Sequence, residues 1–529
     1  MKRNLEKLKS EVFDVVIIGG GIHGALILWE AARNGYKACL IDKTDFGSHT
    51  SANSLKVLHG GFRYIQHANI KRMRESIYSR KIFQKIAPHL VKNIPFLFPT
   101  SGFGVKSRLS LSIALFLNDI ISCDRNSGLT ESSRLKGGRT IGKKKLFKIL
   151  PELKNQKING GAIWYESVAL NTERLLFEFL HEAYEMGAEL CNYIRAEELI
   201  IENNKARVKV KDEISGEEFI LNSEFVVDSV GPWLNNLLTQ KTDLNRLKSG
   251  LTKAVNIIIK KNYFDEFGVG LESVKEFVDK DAIINKGKRL FFLVPIGDFT
   301  MIGTTYKVFQ EDPDMCRISD EDVKQILDEV NESYKGFNIT IDDVVQSHVG
   351  VLPMHEENHS NEFDVQPEKH SLVFDHSCSS IKNLISVKSV KYTTAPSIAE
   401  QVLKVLSSKF PKAPIQNKDS LLKQSYSELK DQFFKTYSGK YTFSLLQRLW
   451  NTYGVKSNMV IEYIDKDSDS KKMIIEEEEV YNGELNYNFE QEMAITSDDF
   501  ISRRLGLSAF EKMPDVYFEK IEKFLSSKK

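Results

Sequence analysis

Four residues near the N-terminus have the spacing to hold a dinucleotide. Gly19, Gly21 and Gly24 stand in the stretch GGGIHG. In that pattern the first glycine allows a tight turn, the second lets a pyrophosphate approach the backbone, and the third lets helix and strand pack closely. Asp42 follows at roughly the 20-residue distance at which a carboxylate meets a ribose. An acid there favours a free ribose hydroxyl, as in FAD or NAD, over a 2′-phosphate. A second group lies in LKVLHGGFRY, from Leu55 to Tyr64, which brings together two cations, His59, a glycine pair and a tyrosine. Glycines let a backbone come close to a flat ring, and a cation beside such a ring stabilises its anionic reduced form. Taken alone, His59 is as readily a turn histidine and Arg63 a surface cation. The glycine fingerprint by itself does not separate FAD from NAD.

The elements that position these residues follow from apolar periodicity. DVVII (14–18) is a β-branched run, ALILWEAARNGY is helical and stops at Gly35, and KACLID resumes as a strand, which makes a βαβ unit. Strand patterns recur at EFVVDSVG (224–231), AVNIIIK (254–260), RLFFLVPIGDFTMIGTT (289–305) and NLISV (383–387). Between them NTERLLFEFLHEAYEMG (171–187) has an Asn/Thr start and a Gly stop, as a helix should. This alternation implies a nucleotide-binding α/β domain interleaved with a more antiparallel substrate domain. Beyond about residue 400, SLLQRLWNTYG, EQEMAITSDDFISRRLGL and DVYFEKIEKFLSS read as amphipathic helices of a separate domain. The charged stretch DKDSDSKKMIIEEEEV reads as a solvated loop and helix start.

Composition narrows the class. The 529 residues are 41% hydrophobic and 27% charged, with a formal charge of +1, so no global field draws the chain to nucleic acid. Five scattered cysteines without CxxC or His/Cys clustering imply a reducing compartment and no structural metal. MKRNLEKLKSEVFD lacks the apolar core of a signal peptide. The longest apolar run, LSLSIALFLNDIISC from Leu109, is broken by Asn118 and Asp119 and reads as a buried or surface-docked helix, not a span.

From Asp42 the chain continues DKTDFGSHTSANSLKVLHGGFRY. This segment resembles the FAD-dependent, quinone-linked glycerol-3-phosphate dehydrogenase family, in which a Ser/Thr-rich stretch leads into a Lys-x-x-His-Gly-Gly-x-Arg-Tyr motif. VVDSVGPWLNNL, ending in Gly231, Pro232 and Trp233, and LISVKSVKYTTAPSIAE, with Lys391, Thr393 and Thr394, continue the likeness, as does DDFISRRLGL in the helical tail. The resemblance implies an α/β fold with a Rossmann-type FAD-binding domain, an antiparallel-sheet substrate domain and a C-terminal helical domain. The FAD-dependent oxidoreductase region then covers 1–400 and the helical domain 401–529. FAD-binding segments fall at about 12–75, 165–235 and 345–405, and substrate-domain segments at about 76–164 and 236–344. It also implies that Thr50, Ser51, Ser54 and Lys56 run beside the flavin and that His59, Gly60 and Gly61 turn close to its isoalloxazine. Arg63 and Tyr64 point to the substrate, and Lys391 serves as base or anion holder.

Several family positions differ here. Where the family has a histidine in a Lys-Gly-x-His segment, TKAVNIII keeps Lys253 and carries Asn256. The family's Gly-Val-Arg-Pro turn is GVLP, with Leu352 in place of arginine; a Gly-Gly pair is Ser389-Val390; and an acidic residue is Tyr306. Leucine offers no donor where arginine offers a charged fork, and one charged hydrogen bond to a phosphate is worth about 1.5–3 kcal/mol. His→Asn removes a group that titrates near neutrality but keeps a hydrogen-bonding amide. Arg63 and Lys391 remain as cations, with Lys369 and His370 nearby in sequence but without an assigned role.

The resulting expectation is oxidation of sn-glycerol 3-phosphate to dihydroxyacetone phosphate, with hydride passing to flavin N5 and electrons to quinone. Two alternatives stand beside it: a flavin oxidase or dehydrogenase of the same fold for another hydroxy acid or amino acid, and a non-catalytic FAD-binding paralogue. The expected partners are a phosphorylated or carboxylated alcohol and a quinone, with no nucleic acid. A cytoplasmic protein touching the inner face of the cell membrane fits these partners, and the helical domain leaves homodimerisation open.

Overall fold

Val12–Ile18 alternates its side chains between two cores and so has no polar face. Val15 and Ile17 enter one core, and Phe13, Val16 and Ile18 the other. A strand buried on both faces belongs in the middle of a parallel sheet. In the computed structural model, which describes residues 1–528 except 63–68, 105, 152, 154–157, 203–204, 235–246, 248, 277–287, 355–364, 366, 380 and 416–425, it is central. It pairs in parallel with Glu218–Asp228 on one side and Ala38–Ile41 on the other. Leu384–Lys388 and Glu189–Cys191 extend the parallel pairing outward, and Leu372–Asp375 adds an antiparallel edge. Two antiparallel strands, Ile194–Glu202 and Lys205–Asp212, complete this eight-stranded sheet. The helices Ile22–Arg33, Thr172–Glu185 and Ala395–Lys409 pack one face in a single core.

The second sheet has nine strands. Val344–Met354, Gly250–Ile259, Phe299–Phe309, Lys288–Ile296 and Gly268–Glu276 run in that spatial order, followed by Val91–Ser101, Ile158–Ala169 and Val57–Leu58, and Arg139–Gly142 also pairs with Ile158–Ala169. All pairs are antiparallel except Gly268–Glu276 with Val91–Ser101. Val344–Met354 therefore sits in this sheet although the segment 345–405 reads from sequence as FAD-binding; it pairs along its length with Gly250–Ile259. The short strand Val57–Leu58 is the inner part of LKVLHGGFRY, so the second sheet carries the turn that follows it.

The C-terminal region holds the helices Tyr426–Tyr437, Phe443–Tyr453, Ser457–Asp465, Asn482–Glu492 and Asp515–Ser526 around two cores of its own. The charged stretch before Asn482 forms a small hairpin, Met473–Ile475 with Val480–Tyr481, where sequence suggested loop. Ile475 and Val480 are fully buried, and these two anchors outweigh the surrounding charge.

Candidate active site

The strand Val12–Ile18 ends at a turn whose glycines are required by contact. Gly19 has φ +100, and a Cβ on Gly24 would lie 1.9 Å from the Gly19 carbonyl oxygen. The helix Ile22–Arg33 can start this close to the strand only because no side chain intervenes. No side chain of residue 21 caps that helix; the N–H of Ile22 donates to Ser51 Oγ at 3.0 Å. Asp42 closes the turn from the next strand. Its carboxylate accepts from the Gly20 N–H (2.6 Å), the Thr44 N–H (2.8 Å) and the Thr44 hydroxyl (3.0 Å). Burial lifts its pKa to about 6 against the opposing effect of those donors.

From this turn a cavity of about 720 Å³ runs to the second sheet. Gly19, Gly21 and Asp42 of the turn line it, as do Asn256 and Leu352 of the second sheet and Lys391. The loop after Asp42 forms much of the wall between them. Thr50 is pinned to Val351, donating to its carbonyl at 3.1 Å and accepting from its N–H at 3.2 Å. Ser54 Oγ accepts from the Lys56 N–H at 3.2 Å. Lys56 borders the cavity, but its amine is buried against Thr172 (3.0 Å) and Glu173 (3.3 Å). Gly231 (φ +63) opens the turn Gly231–Trp233, and Trp233 stacks under Lys43 at 4.0 Å and beside His49 at 4.7 Å.

The His59-Gly60-Gly61 turn rests on a buried ion pair. Glu166, on the strand Ile158–Ala169, accepts from the Gly60 N–H and from Trp164 Nε1 (3.1 Å), and lies 3.5 Å from Arg80. Burial pushes the Glu166 carboxyl up, opposed by the Arg80 guanidinium. A Cβ on Gly60 would meet Arg80 at 1.8 Å, so only glycine fits over the pair. His59 stays half-exposed toward the cavity, 4.0 Å from Glu166. Arg63 and Tyr64 lie outside the described residues. Lys391 lines the cavity just before the turn Tyr392–Thr394, which Thr393 ties to the Val57 carbonyl at 3.4 Å.

Three of the substitutions singled out in the sequence, at residues 256, 306 and 352, lie on the second sheet, while Ser389 and Val390 line the cavity from the segment after Leu384–Lys388. Asn256 is buried, its Oδ1 accepting from Thr304 Oγ1 at 2.7 Å and its Nδ2 donating to the Asn53 carbonyl at 3.3 Å. One end of the amide thus links two strands of the sheet, and the other ties the sheet to the cofactor loop. Leu352 and Tyr306 line the same cavity, so this wall is uncharged where they stand, while Lys369 and Lys391 face the cavity from other segments. Lys253 instead pairs with Asp322.

Sequence reading missed the groups behind the site. Asp45 is fully buried under Arg503 (2.6 Å) and Arg504 (2.6 Å), partners 458 and 459 residues away. Burial would raise its pKa, but the two guanidiniums override that and hold it at about 2. No local pattern marks such a pairing, nor that of Arg80 with Glu166.

A doubly covered parallel sheet, a glycine turn and a second sheet closing one long cavity define a dinucleotide-dependent oxidoreductase architecture, and the contacts that exclude side chains at residues 19, 24 and 60 fit FAD. Residues 14–387 match the FAD dependent oxidoreductase family, and the chain belongs to that family. Residues 415–525 match the C-terminal domain of alpha-glycerophosphate oxidase. The chain is 25% identical over 521 residues to a glycerol-3-phosphate dehydrogenase of Synechocystis, covering 96% of this chain and 91% of that one. It is 26% identical over 525 residues to an aerobic glycerol-3-phosphate dehydrogenase of Staphylococcus aureus, covering 96% and 88%. Its fold matches the glycerol-3-phosphate dehydrogenase of Bacillus halodurans complexed with FAD, with a TM-score of 0.71 and 21% identity over 99% of this chain and 92% of that one. The protein is an FAD-dependent oxidoreductase.

Proposed function

We propose that the protein oxidises sn-glycerol 3-phosphate to dihydroxyacetone phosphate. The supporting observation is that one cavity is lined both by the dinucleotide turn and by Lys369 and Lys391, in a chain similar over nearly its whole length to glycerol-3-phosphate dehydrogenases. FAD, when bound, supplies the hydride acceptor at N5, and a quinone takes the electrons onward. Gly19, Gly21 and Asp42 hold its dinucleotide end, and Thr50, Ser51 and the His59–Gly61 turn its flavin end. Lys369 holds the phosphate, and Lys391 serves either as a second cation for it or, in its neutral form, as the general base that takes the hydroxyl proton. Arg63 and Tyr64 complete the substrate end. Leu352 leaves the phosphate with one charged partner fewer than the family pattern provides, so substrate affinity is the parameter that suffers.

Contact with a membrane quinone needs a surface that meets lipid. The helix Arg108–Ile121 supports this: Leu109, Ile113, Phe116, Leu117 and Ile120 follow one helical face and are 45–72% exposed, with Phe103 fully exposed before it. Lys136, Arg139 and Lys143 to Lys145 lie exposed on the adjoining segments, the arrangement that suits an anionic bilayer surface. No helix among the described residues is long and apolar enough to cross a membrane.

A second reading, a different hydroxy acid or amino acid as substrate, is favoured by Leu352 and Asn256. One experiment separates the two. FAD-loaded protein is mixed anaerobically with sn-glycerol 3-phosphate and the flavin absorbance followed. Stoichiometric bleaching supports the first reading. Bleaching only by a carboxylated alcohol or amino acid supports the second, and no bleaching by any of them leaves the non-catalytic paralogue.

A further inference from the structure

The loop 42–54 surrounds the glycine turn and walls the cavity, yet it contains no strand or helix. Its conformation is held by bonds within the loop and by contacts with the elements around it. On the cavity side Thr50 and Ser51 bond to Val351 and Ile22. On the opposite side the charged holding groups come from the C-terminal domain, with Asn192 beside them from the end of Glu189–Cys191. Asp45 Oδ2 accepts from Arg503 Nε and Arg504 Nη1, both at 2.6 Å, and its Oδ1 accepts from Arg504 Nη2 at 2.8 Å and Asn192 Nδ2 at 2.9 Å. The guanidinium of Arg504 is itself fixed by the Glu492 carbonyl at 2.7 and 2.9 Å, and that of Arg503 by Asp499 at 2.6 Å.

The next two residues carry this anchorage to the cofactor turn. Phe46 is fully buried, and its ring lies where a side chain on Gly20 would be, 2.4 Å from that Cβ position. The Gly47 N–H donates to the Gly20 carbonyl at 3.0 Å, and the Gly20 N–H donates to Asp42. A continuous path thus runs from two C-terminal arginines through Asp45, Phe46 and Gly47 to Gly20, which lies between Gly19 and Gly21, the two glycines that line the cavity. We propose that Arg503 and Arg504 are positioning residues of the FAD site. Through Asp45 the C-terminal helical domain pre-orders the dinucleotide loop and so sets how tightly the cofactor is retained. A loop ordered before binding loses less conformational freedom on binding. Asp45 deprived of its arginines becomes an unpaired buried charge, and the loop must rearrange to rehydrate it.

The control is a buried pair that does not touch the loop. Arg448 and Glu484 form a bidentate bridge at 2.8 and 2.6 Å within the C-terminal domain. The measurement is the FAD dissociation constant of deflavinated full-length protein, read by quenching of flavin fluorescence, alongside the melting temperature without FAD. It needs no substrate, so its outcome is independent of which alcohol is oxidised. Arg504→Met is expected to weaken FAD at least tenfold, whereas Arg448→Met lowers the melting temperature comparably and leaves FAD affinity within twofold. Equal loss of FAD affinity in both, or an unchanged constant in Arg504→Met, overturns the proposal. Should Arg504→Met not fold, Arg503→Lys keeps the charge but loses the fork that reaches Asp45 and Asp499. A three- to tenfold weaker FAD then supports the proposal, and an unchanged constant overturns it.

Discussion

Asn256 and Leu352 mark two different kinds of change at one wall. Asn256 is tied at both ends, to Thr304 and to Asn53, and its Oδ1 lies 2.0 Å from where a Cβ of Gly303 would be. A histidine there is bulkier and carries its donor and acceptor at different positions, so the two bonds cannot both keep their present geometry. Asn256→His is therefore expected to cost about 1–3 kcal/mol of stability, visible as a lower urea midpoint, with no gain in turnover. Leu352 is half-buried on the cavity wall with nothing bonded to it that an arginine would lose. Leu352→Arg is expected to lower KM for sn-glycerol 3-phosphate by about 10- to 150-fold, the equivalent of one charged hydrogen bond. An unchanged KM would show that the phosphate lies elsewhere. The same scale governs the cofactor turn. Gly24→Ala drives a methyl into the Gly19 carbonyl, backbone against backbone-borne atom, so the purified variant should be colourless and fail to take up added FAD. These glycines were legible in the sequence because the constraint is local. The Glu166 and Arg80 support of the His59 turn was not, because it comes from another strand and another helix.

At the scale of elements, the helix Arg108–Ile121 shows what periodicity can and cannot say. Its apolar run was readable as a helix that does not span a bilayer, but a sequence does not record which face the rest of the fold covers. The structure buries Leu115 and leaves the opposite stripe bare. Replacing Ile113 and Phe116 together by serine should abolish sedimentation with anionic phosphatidylglycerol vesicles while leaving FAD content and melting temperature unchanged, since exposed side chains contribute little to folding. Binding that persists would assign the contact to another surface, and a change in mass by light scattering would assign the stripe to a second copy of the chain. The small hairpin before Asn482 was hidden for a related reason: two buried apolar residues among many charges carry too little pattern to register.

At the scale of the molecule, burial of titratable groups sets the response to pH. Burial lowers His23, His49, His89, His181 and His376 to about 4 and His348 to about 3. Between about pH 4 and the ordinary histidine value near 6.5, the unfolded chain takes up protons that the folded chain refuses, so stability falls as pH falls through that window. Burial raises Asp42 to about 6 and Asp228 and Glu182 to about 7, and these act in the opposite sense. They stay protonated in the fold where the unfolded chain has released its protons, so they favour the fold less as pH rises from about 4 to 7. The histidines outnumber them. The unfolding free energy should drop between pH 6.5 and pH 4.5 by ~1.4 kcal/mol per pH unit for each net proton taken up, lowering the melting temperature with it, and proton uptake on unfolding is measurable in buffers of different ionisation enthalpy. A flat profile would mean that the histidines are solvated.

Sequence alone determined the parts whose constraints are short in range. The βαβ unit, the glycine turn with Asp42 and the helical tail each follow from spacings within a few tens of residues, where chain geometry leaves few alternatives, and the HGG segment stood out by its family resemblance. Tertiary structure decided the rest: that the glycine turn and the Lys391 turn share one cavity, that Asn256 is a tie while Leu352 is bare wall, and that Asp45 meets Arg503 and Arg504 across 458 and 459 residues. The reason is physical. Which groups become neighbours, and which charges lose their water, depends on how sheets and domains pack, and packing is a property of the whole chain.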